Sequence, residues 1–270
     1  PRWAIPIDDT IYFNAEDNVT GEQLWAYNAN NLSTWQVHNI FSGVSEQTGD
    51  IIGSHPGYHL GLTEVEGTIF FDAFDGNNRL LWAHDTSNST TYIAANVSTT
   101  YGFSLVAGGT LFFTGAGYYE DGGWVSGGEV YAYDSSNSTW WKATDIGSGA
   151  QSMPQGGFLV DQSLFFSALR EWQYWGLWSI NVSTGFTSQI TDDTYTGISP
   201  GAYSLFSVGE TIFFDMNNEI WGYNSSNFTL WQVTDHPFSA TLPQGGIVVG
   251  NTAYFSGKGT TDNTLEMFAY

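Results

Sequence analysis

The chain contains no cysteine, which excludes disulfide staples and thiolate chemistry. Positive charge is scarce as well. Five Lys plus Arg stand against 27 Asp plus Glu, a formal net charge of -22 over 270 residues. Nucleic acid requires cations to meet its phosphates, and anionic membrane surfaces attract basic segments, so neither is an expected partner. No apolar run is long enough to cross a bilayer, so membrane insertion is not expected, and no 3.6-residue apolar stripe of helical length is present. Gly-x-Ser-x-Gly elbows and phosphate loops are missing. The histidines (His38, His55, His59, His84 and His236) lack the i,i+4 spacing of a helical zinc motif. They read as solvated turn and edge residues, with His55 and His59 on a Pro/Gly-rich crossing. No catalytic residues are assigned, no cofactor is required, and the expectation is a protein that is not an enzyme. No signal peptide is visible and residue 1 is Pro, which reads as a processed or partial form.

What the chain does have is aromatic residues, 17% of the total, within 41% hydrophobic residues, enough for a substantial globular core. They recur. An aromatic pair appears as Tyr12-Phe13, Phe70-Phe71, Phe112-Phe113, Phe165-Phe166, Phe213-Phe214 and Tyr254-Phe255. A second aromatic follows each time, at Trp25, Trp82, Tyr131, Trp178, Trp221 and Phe268. Intervals of about 43 to 57 residues suit propeller blades. Each repeat resolves into four short strands. The first ends in a two-residue turn (Asp8-Asp9, Glu66-Gly67, Gly108-Gly109, Asp161-Gln162, Gly209-Glu210, Gly250-Asn251), and the second carries the aromatic pair. The third holds the later aromatic, and the fourth resembles Thr-Trp-Gln-Val. First strands after the first repeat are expected at 60–65, 103–107, 157–160, 203–208 and 246–249. Pro/Gly-rich crossings such as Ser54-His55-Pro56-Gly57 return the chain to the next repeat. The expectation is an all-β, single-domain, six-bladed β-propeller of four-stranded antiparallel blades, at 1–40, 58–97, 102–146, 156–191, 202–235 and 245–270, the last incomplete. A β-solenoid would need shorter, more even repeats without the tight antiparallel turns.

The runs Gln23-Leu24-Trp25, Gly176-Leu177-Trp178 and Glu219-Ile220-Trp221, with their flanking strands, resemble the Glu-Leu-Trp propeller repeats of secreted bacterial and archaeal proteins. The resemblance covers nearly the whole chain. It departs where those repeats carry Asp-Gly-Thr, since an Asn-containing turn stands here instead. It implies fold and an extracellular or cell-surface setting, and no particular activity.

Asn-x-Ser/Thr sequons occur at Asn18, Asn31, Asn88, Asn96, Asn137, Asn181, Asn224 and Asn227. Asn31, Asn88, Asn137 and Asn227 fall in the same turn of the repeat, which suggests N-linked glycans along one rim and passage through a secretory pathway. The same residues also favour hairpin turns without any glycan. Asp72, Asp75 and Asn77 gather oxygen donors in one hairpin, a candidate calcium site or an ordinary polar turn. Long second-to-third-strand hairpins hold Tyr118, Tyr119 and Trp124 in one repeat and Trp172, Tyr174 and Trp175 in the next. Such tips can stack on carbohydrate or anchor a protein, or pack on a neighbouring blade.

The ends of the sequence supply the last expectation. Phe268 and Tyr270 match a third strand, so the sixth blade lacks its fourth and presents an edge. Arg2, Trp3, Ile5 and Ile7 form a segment that could fill that edge within the chain, or pair with another subunit and propagate as a filament; alternatively the edge stays short and blunt. The function expected is an extracellular glycosylated structural or adhesive propeller that assembles with copies of itself. The alternative is a carbohydrate-binding propeller using the aromatic loop face.

Overall fold

The computed structural model describes residues 1–120, 123–147, 152–170, 174–191, 206–216, 219–233, 246–250, 252–258 and 265–269. The protein is all-β, with every sheet built from antiparallel neighbours. Two compact units divide the chain, Pro1–Asp145 and Ile146–Tyr270. Among the described residues no helix is long and apolar enough to cross a membrane.

In the first unit, β1 (Arg2–Ile7), β2 (Thr10–Asp17), β3 (Gly21–Asn28) and β4 (Ser33–His38) form a four-stranded meander. A small hairpin follows, β5 (Gly43–Val44) with β6 (Ile51–Ile52). A seven-stranded sheet then runs through β7 (Leu62–Val65), β8 (Thr68–Phe74), β9 (Arg79–Asp85), β10 (Thr90–Ala107), β11 (Thr110–Glu120), β12 (Gly123–Asp134) and β13 (Thr139–Lys142). The second unit holds two four-stranded sheets and one of three strands. These are β14 (Gln155–Val160) to β17 (Thr187–Gln189) through β15 (Ser163–Arg170) and β16 (Tyr174–Asn181); β18 (Phe206–Val208) to β21 (Thr229–Gln232) through β19 (Thr211–Met216) and β20 (Glu219–Asn224); and β22 (Gly246–Val249), β23 (Thr252–Lys258) and β24 (Leu265–Ala269).

The grouping departs from six separate four-stranded blades, because β10 serves two repeats. Its Thr90–Ser98 stretch pairs with β9 and its Val97–Ala107 stretch with β11, with register shifts where the strand bends between them. No proline interrupts the β-branched and aromatic run, so the backbone continues as strand. The first-strand turns follow the sequence. Asp8, Glu66, Gly108, Asp161, Gly209 and Gly250 open the six two-residue connections, all with φ between 50° and 62°. Positive φ at that position gives the turn the twist of its flanking strands.

The recurrent aromatic pair has a two-sided role. Side chains alternate along a strand, so successive phenylalanines face opposite ways. Phe70 packs with Leu81, Leu111 and Tyr133 on one side of β8, and Phe71 with Tyr12, Leu24 and Ala26 on the other. Phe213 and Phe214 divide likewise between the cores toward β23 and β15. These sheets are therefore buried on both faces, each Phe contributing about 1.5–3 kcal/mol by burial. Where the outer ladder ends, the threonine after the fourth strand takes over. Thr144 Oγ1 accepts from the Val130 N–H at 3.0 Å and donates to the buried Glu129 at 2.6 Å, and Thr191 Oγ1 accepts from Leu177 N–H at 3.0 Å.

Candidate functional site

The chemistry of the first unit gathers on the crossing between its two larger sheets. Residues 53–61 thread past the start of β3 and the end of β8. His55 N–H donates to Glu22 O at 3.1 Å, Ser54 Oγ to Gln23 Oε1 at 2.7 Å, and Asn14 Nδ2 to Pro56 O at 2.7 Å. On the other side Gly57 N–H donates to Asp72 O and Phe74 N–H to Ser54 O, both at 2.8 Å. Asn14, Gln23 and Asp72 are buried polar residues whose side chains bond this crossing or its immediate continuation. Close approach is possible because Gly53 has no side chain: an added Cβ would overlap the backbone N and O of Glu22.

Asp72 is fully buried and satisfied. Its carboxylate accepts from the N–H groups of His59 (3.0 Å) and Leu60 (2.9 Å) and from Arg79 Nη1 (2.8 Å). These bonds occupy the backbone that would otherwise extend the ladder, so the strand expected from residue 60 begins at Leu62. Arg79 also donates to His55 O at 2.9 Å, and its guanidinium lies 5.3 Å from the centre of the Tyr58 ring. Removing one partner of so dry a pair leaves the other charge stranded, a cost of about 3–5 kcal/mol.

Above this pair stands an aromatic wedge. Tyr58 and Tyr101 are 46% and 57% exposed, with ring centres 5.6 Å apart and planes at 55°. The neighbouring Tyr58 hydroxyl raises the Tyr101 pKa. The His59 ring backs them, 4.2 Å from Tyr101 and 5.3 Å from Tyr58. Burial lowers the His59 pKa, against the opposing pull of Asp72. Its Nδ1 is buried without a hydrogen-bond partner, 4.0 Å from Asp72 Oδ2. His55 Nδ1 pairs with Glu22 Oε2 nearby. The far side of the same turn, at Leu60 and Gly61, borders a pocket of about 310 Å³ lined by Trp3, Ile5, Leu62, Thr63 and Ser104. Trp3 is half exposed at the irregularity in the β1–β2 register, with φ of 53°.

Most of the residues singled out in the sequence lie elsewhere. Of the calcium candidates, Asp72 is bonded to Arg79 and two backbone donors, while Asp75 Oδ1 closes its own turn on Asn77 and Asn78 N–H, both at 2.8 Å. Among the described residues no group of three or more His, Asp or Glu side chains is placed to hold a metal. Tyr118 packs edge-on against Trp140 at 5.3 Å, and Trp175 packs on the core between β15 and β19. Tyr119 and Trp124 are backbone register partners in the β11–β12 ladder, as Tyr174 and Arg170 are in the β15–β16 ladder. Trp172 and Tyr270 lie outside the described residues. Arg2 is exposed, Ile5 and Ile7 pack on the first core, and Phe268 pairs with Phe255. The solvated reading of the histidines is corrected at two positions: His84 is buried inside the sheet, and His59 is half-buried with its Nδ1 shielded by the crossing. Asn18, Asn31, Asn88, Asn96, Asn137 and Asn227 are exposed, whereas Asn181 and Asn224 are half-buried.

No family model and no curated protein matches the chain. Solved structures do. The chain is similar to the extracellular domain of a putative one-component system from B. thetaiotaomicron, with a TM-score of 0.53 and 13% identity, covering 98% of this chain and 32% of that one. The likeness is one of fold. TolB from Acinetobacter baumannii aligns with a TM-score of 0.40 and 13% identity, over 82% of this chain and 50% of that one. The chain thus spans about a third to a half of the length of these two structures.

Proposed function

We propose that this chain is an exported β-propeller protein that binds carbohydrate, with the Tyr58–Tyr101 wedge as its recognition surface. The six-blade reading is supported by splitting the seven-stranded sheet at the bend of β10, which leaves five four-stranded meanders and one of three strands. An acidic chain with eight sequons suits an extracellular setting. The wedge carries the functional reading. Its two aromatic rings are exposed yet already packed on each other, on His59 and, for Tyr58, on Arg79, so little side-chain entropy is lost when a ligand stacks on them. A pyranose offers an apolar C–H face for the rings and hydroxyls for the tyrosines. Arg79 is neutralised by Asp72 and the chain carries -22, which favours neutral sugars over acidic ones.

A glycan array probed with the full-length protein tests this. Tyr58→Ala and Tyr101→Ala should each lose tenfold or more in affinity with little change in melting temperature. Tyr118→Ala should lower the melting temperature and leave binding intact. An unresponsive array, or alanine variants that bind like the wild type, overturns the reading.

A second reading, self-assembly, is favoured by one observation. Among the described residues no strand pairs with the outer side of β24, while β1 is already paired with β2. A strand from a second copy would complete that sheet by β-augmentation.

A further inference from the structure

The eight sequons are not equivalent in the fold. Four share one geometry, in the turns β3–β4, β9–β10, β12–β13 and β20–β21. Asn31, Asn88, Asn137 and Asn227 lie exposed at these tips. Each Oδ1 accepts from the hydroxyl two residues on: Ser33, Thr90 and Thr229 at 2.6 Å, Thr139 at 2.5 Å. It also accepts from that residue's N–H, at 3.0 or 3.1 Å. Two donors on Oδ1 fix the amide rotamer and leave Nδ2 as the outward group. Asn88 and Asn137 hold one Nδ2 hydrogen on Asp85 (2.7 Å) and Asp134 (2.9 Å), so the second remains for substitution.

The other sequons lack some part of this arrangement, Asn96 because it lies within β10 rather than at a turn tip. At Asn18 the threonine hydroxyl goes to Asp17, at 3.0 Å. At Asn181 the Ser183 hydroxyl goes to Gln162, also at 3.0 Å. Asn224 has its serine hydroxyl bond, but it is half-buried and its Nδ2 meets Thr211 Oγ1 at 3.5 Å.

The residue between acceptor and hydroxyl adds an independent observation. Leu32, Ser89, Ser138 and Phe228 all have φ between 57° and 60°, a left-handed region that side chains other than Gly, Asn and Asp rarely visit. Leu32 and Phe228 are 71% and 76% exposed. Two large apolar side chains thus stand in water on a strained backbone, beside a free amide nitrogen. A pyranose on that nitrogen has a C–H face that would cover them.

We propose that Asn31, Asn88, Asn137 and Asn227 are the N-glycosylated positions, and that the first sugars on Asn31 and Asn227 lie over Leu32 and Phe228. Attachment forms an Nδ2–C1 bond, breaks the C1–O bond to the phosphate of an activated glycosyl donor, and releases one Nδ2 proton. The proposal rests on export, as does the function above, but not on the Tyr58–Tyr101 wedge, so failure of sugar binding there leaves it standing.

The test uses full-length protein made in its native cells. Glycopeptide mass spectrometry should find the four tips occupied and Asn18, Asn96, Asn181 and Asn224 bare. A thermal cycle of Asn227→Gln, Phe228→Ser and the double variant then reads the contact. Phe228→Ser keeps the sequon and should lower the melting temperature by a few degrees while Asn227 is glycosylated, and not at all once Asn227 is Gln. Bare tips, or occupancy favouring Asn181 and Asn224, overturn the assignment. An unchanged effect of Phe228→Ser in both backgrounds overturns the contact.

Discussion

His59 and His84 are held neutral by burial, the first over Asp72 and the second against Tyr12 with its Nδ1 2.9 Å from Thr91 Oγ1. Nearby charges modify this without reversing it. Asp72 raises the His59 pKa while Arg79 lowers it, and Asp85 raises that of His84 while His38 lowers it. Both remain below the ordinary 6.5. A base whose folded pKa is depressed binds fewer protons folded than unfolded between the two values. Stability is therefore fully present above about 6.5 and is lost as pH falls from there toward the folded pKa. Asp17, Asp85 and Asp134 add a second loss at lower pH, because turn N–H and hydroxyl donors hold their pKa below 3.8. The midpoint of urea unfolding should fall between pH 7.5 and 5, and His59→Gln should flatten part of that slope. A midpoint independent of pH across this range would count against neutral burial of both rings.

Gly53 on the crossing and Gly49 in the β5–β6 hairpin before it separate two costs that glycine substitutions usually combine. Gly53 has no positive φ but no room, since a Cβ would enter the Glu22 backbone. Gly49 has φ of 76° and open space around it. Gly49→Ala pays only for backbone strain, about 1–2 kcal/mol. Gly53→Ala must push the crossing away from β3, weakening the His55–Glu22 and Ser54–Gln23 bonds, so its loss of stability should be at least twice as large in urea titration. Equal losses would mean that the crossing is softer than its hydrogen bonds imply. The same element marks where sequence reading stopped. The six turns were legible because Gly or Asp stands at most of the strained positions and alternating aromatic runs flank them. The aromatic pair was legible because a sheet buried on both faces needs consecutive large apolar residues. The continuity of β10 was not, since nothing local distinguishes a strand that ends from one that bends into the next repeat. Nor was the wedge: His59, Asp72, Arg79 and Tyr101 span more than forty positions and meet only after the crossing packs. The Asp72–Arg79 pair was hidden because the two residues stand seven positions apart and meet diagonally across the β8–β9 hairpin, where Asp72 is opposite Leu81 and Arg79 opposite Phe74.

At the scale of the whole molecule, 27 carboxylates and five cationic side chains make self-repulsion the dominant long-range force. Compensation is sparse. Among the described residues the ion pairs that join an acid to Lys or Arg include Asp72–Arg79, which is buried, and Lys142–Asp145, which is partly exposed. Two like charges 10 Å apart in water repel by about 0.4 kcal/mol. At about 0.01 M salt the screening length is about 30 Å, so acids far apart on the surface still interact; at about 0.15 M it is about 8 Å and only neighbours do. The buried pair is little affected by salt, so added salt removes repulsion and almost no attraction. The melting temperature should therefore rise by several degrees between about 0.01 and 0.3 M NaCl, the opposite of a fold held by surface ion pairs. Association at the β24 edge should follow the same course, because a second copy brings another -22, so sedimentation should show a monomer at low salt and larger species at high salt. Choline chloride should act like NaCl at equal ionic strength. A rise that saturates in millimolar CaCl2, far beyond its ionic strength, would instead reveal cation binding in the acidic turns. A melting temperature that falls with salt would show that attraction between unlike charges, not repulsion, governs the fold.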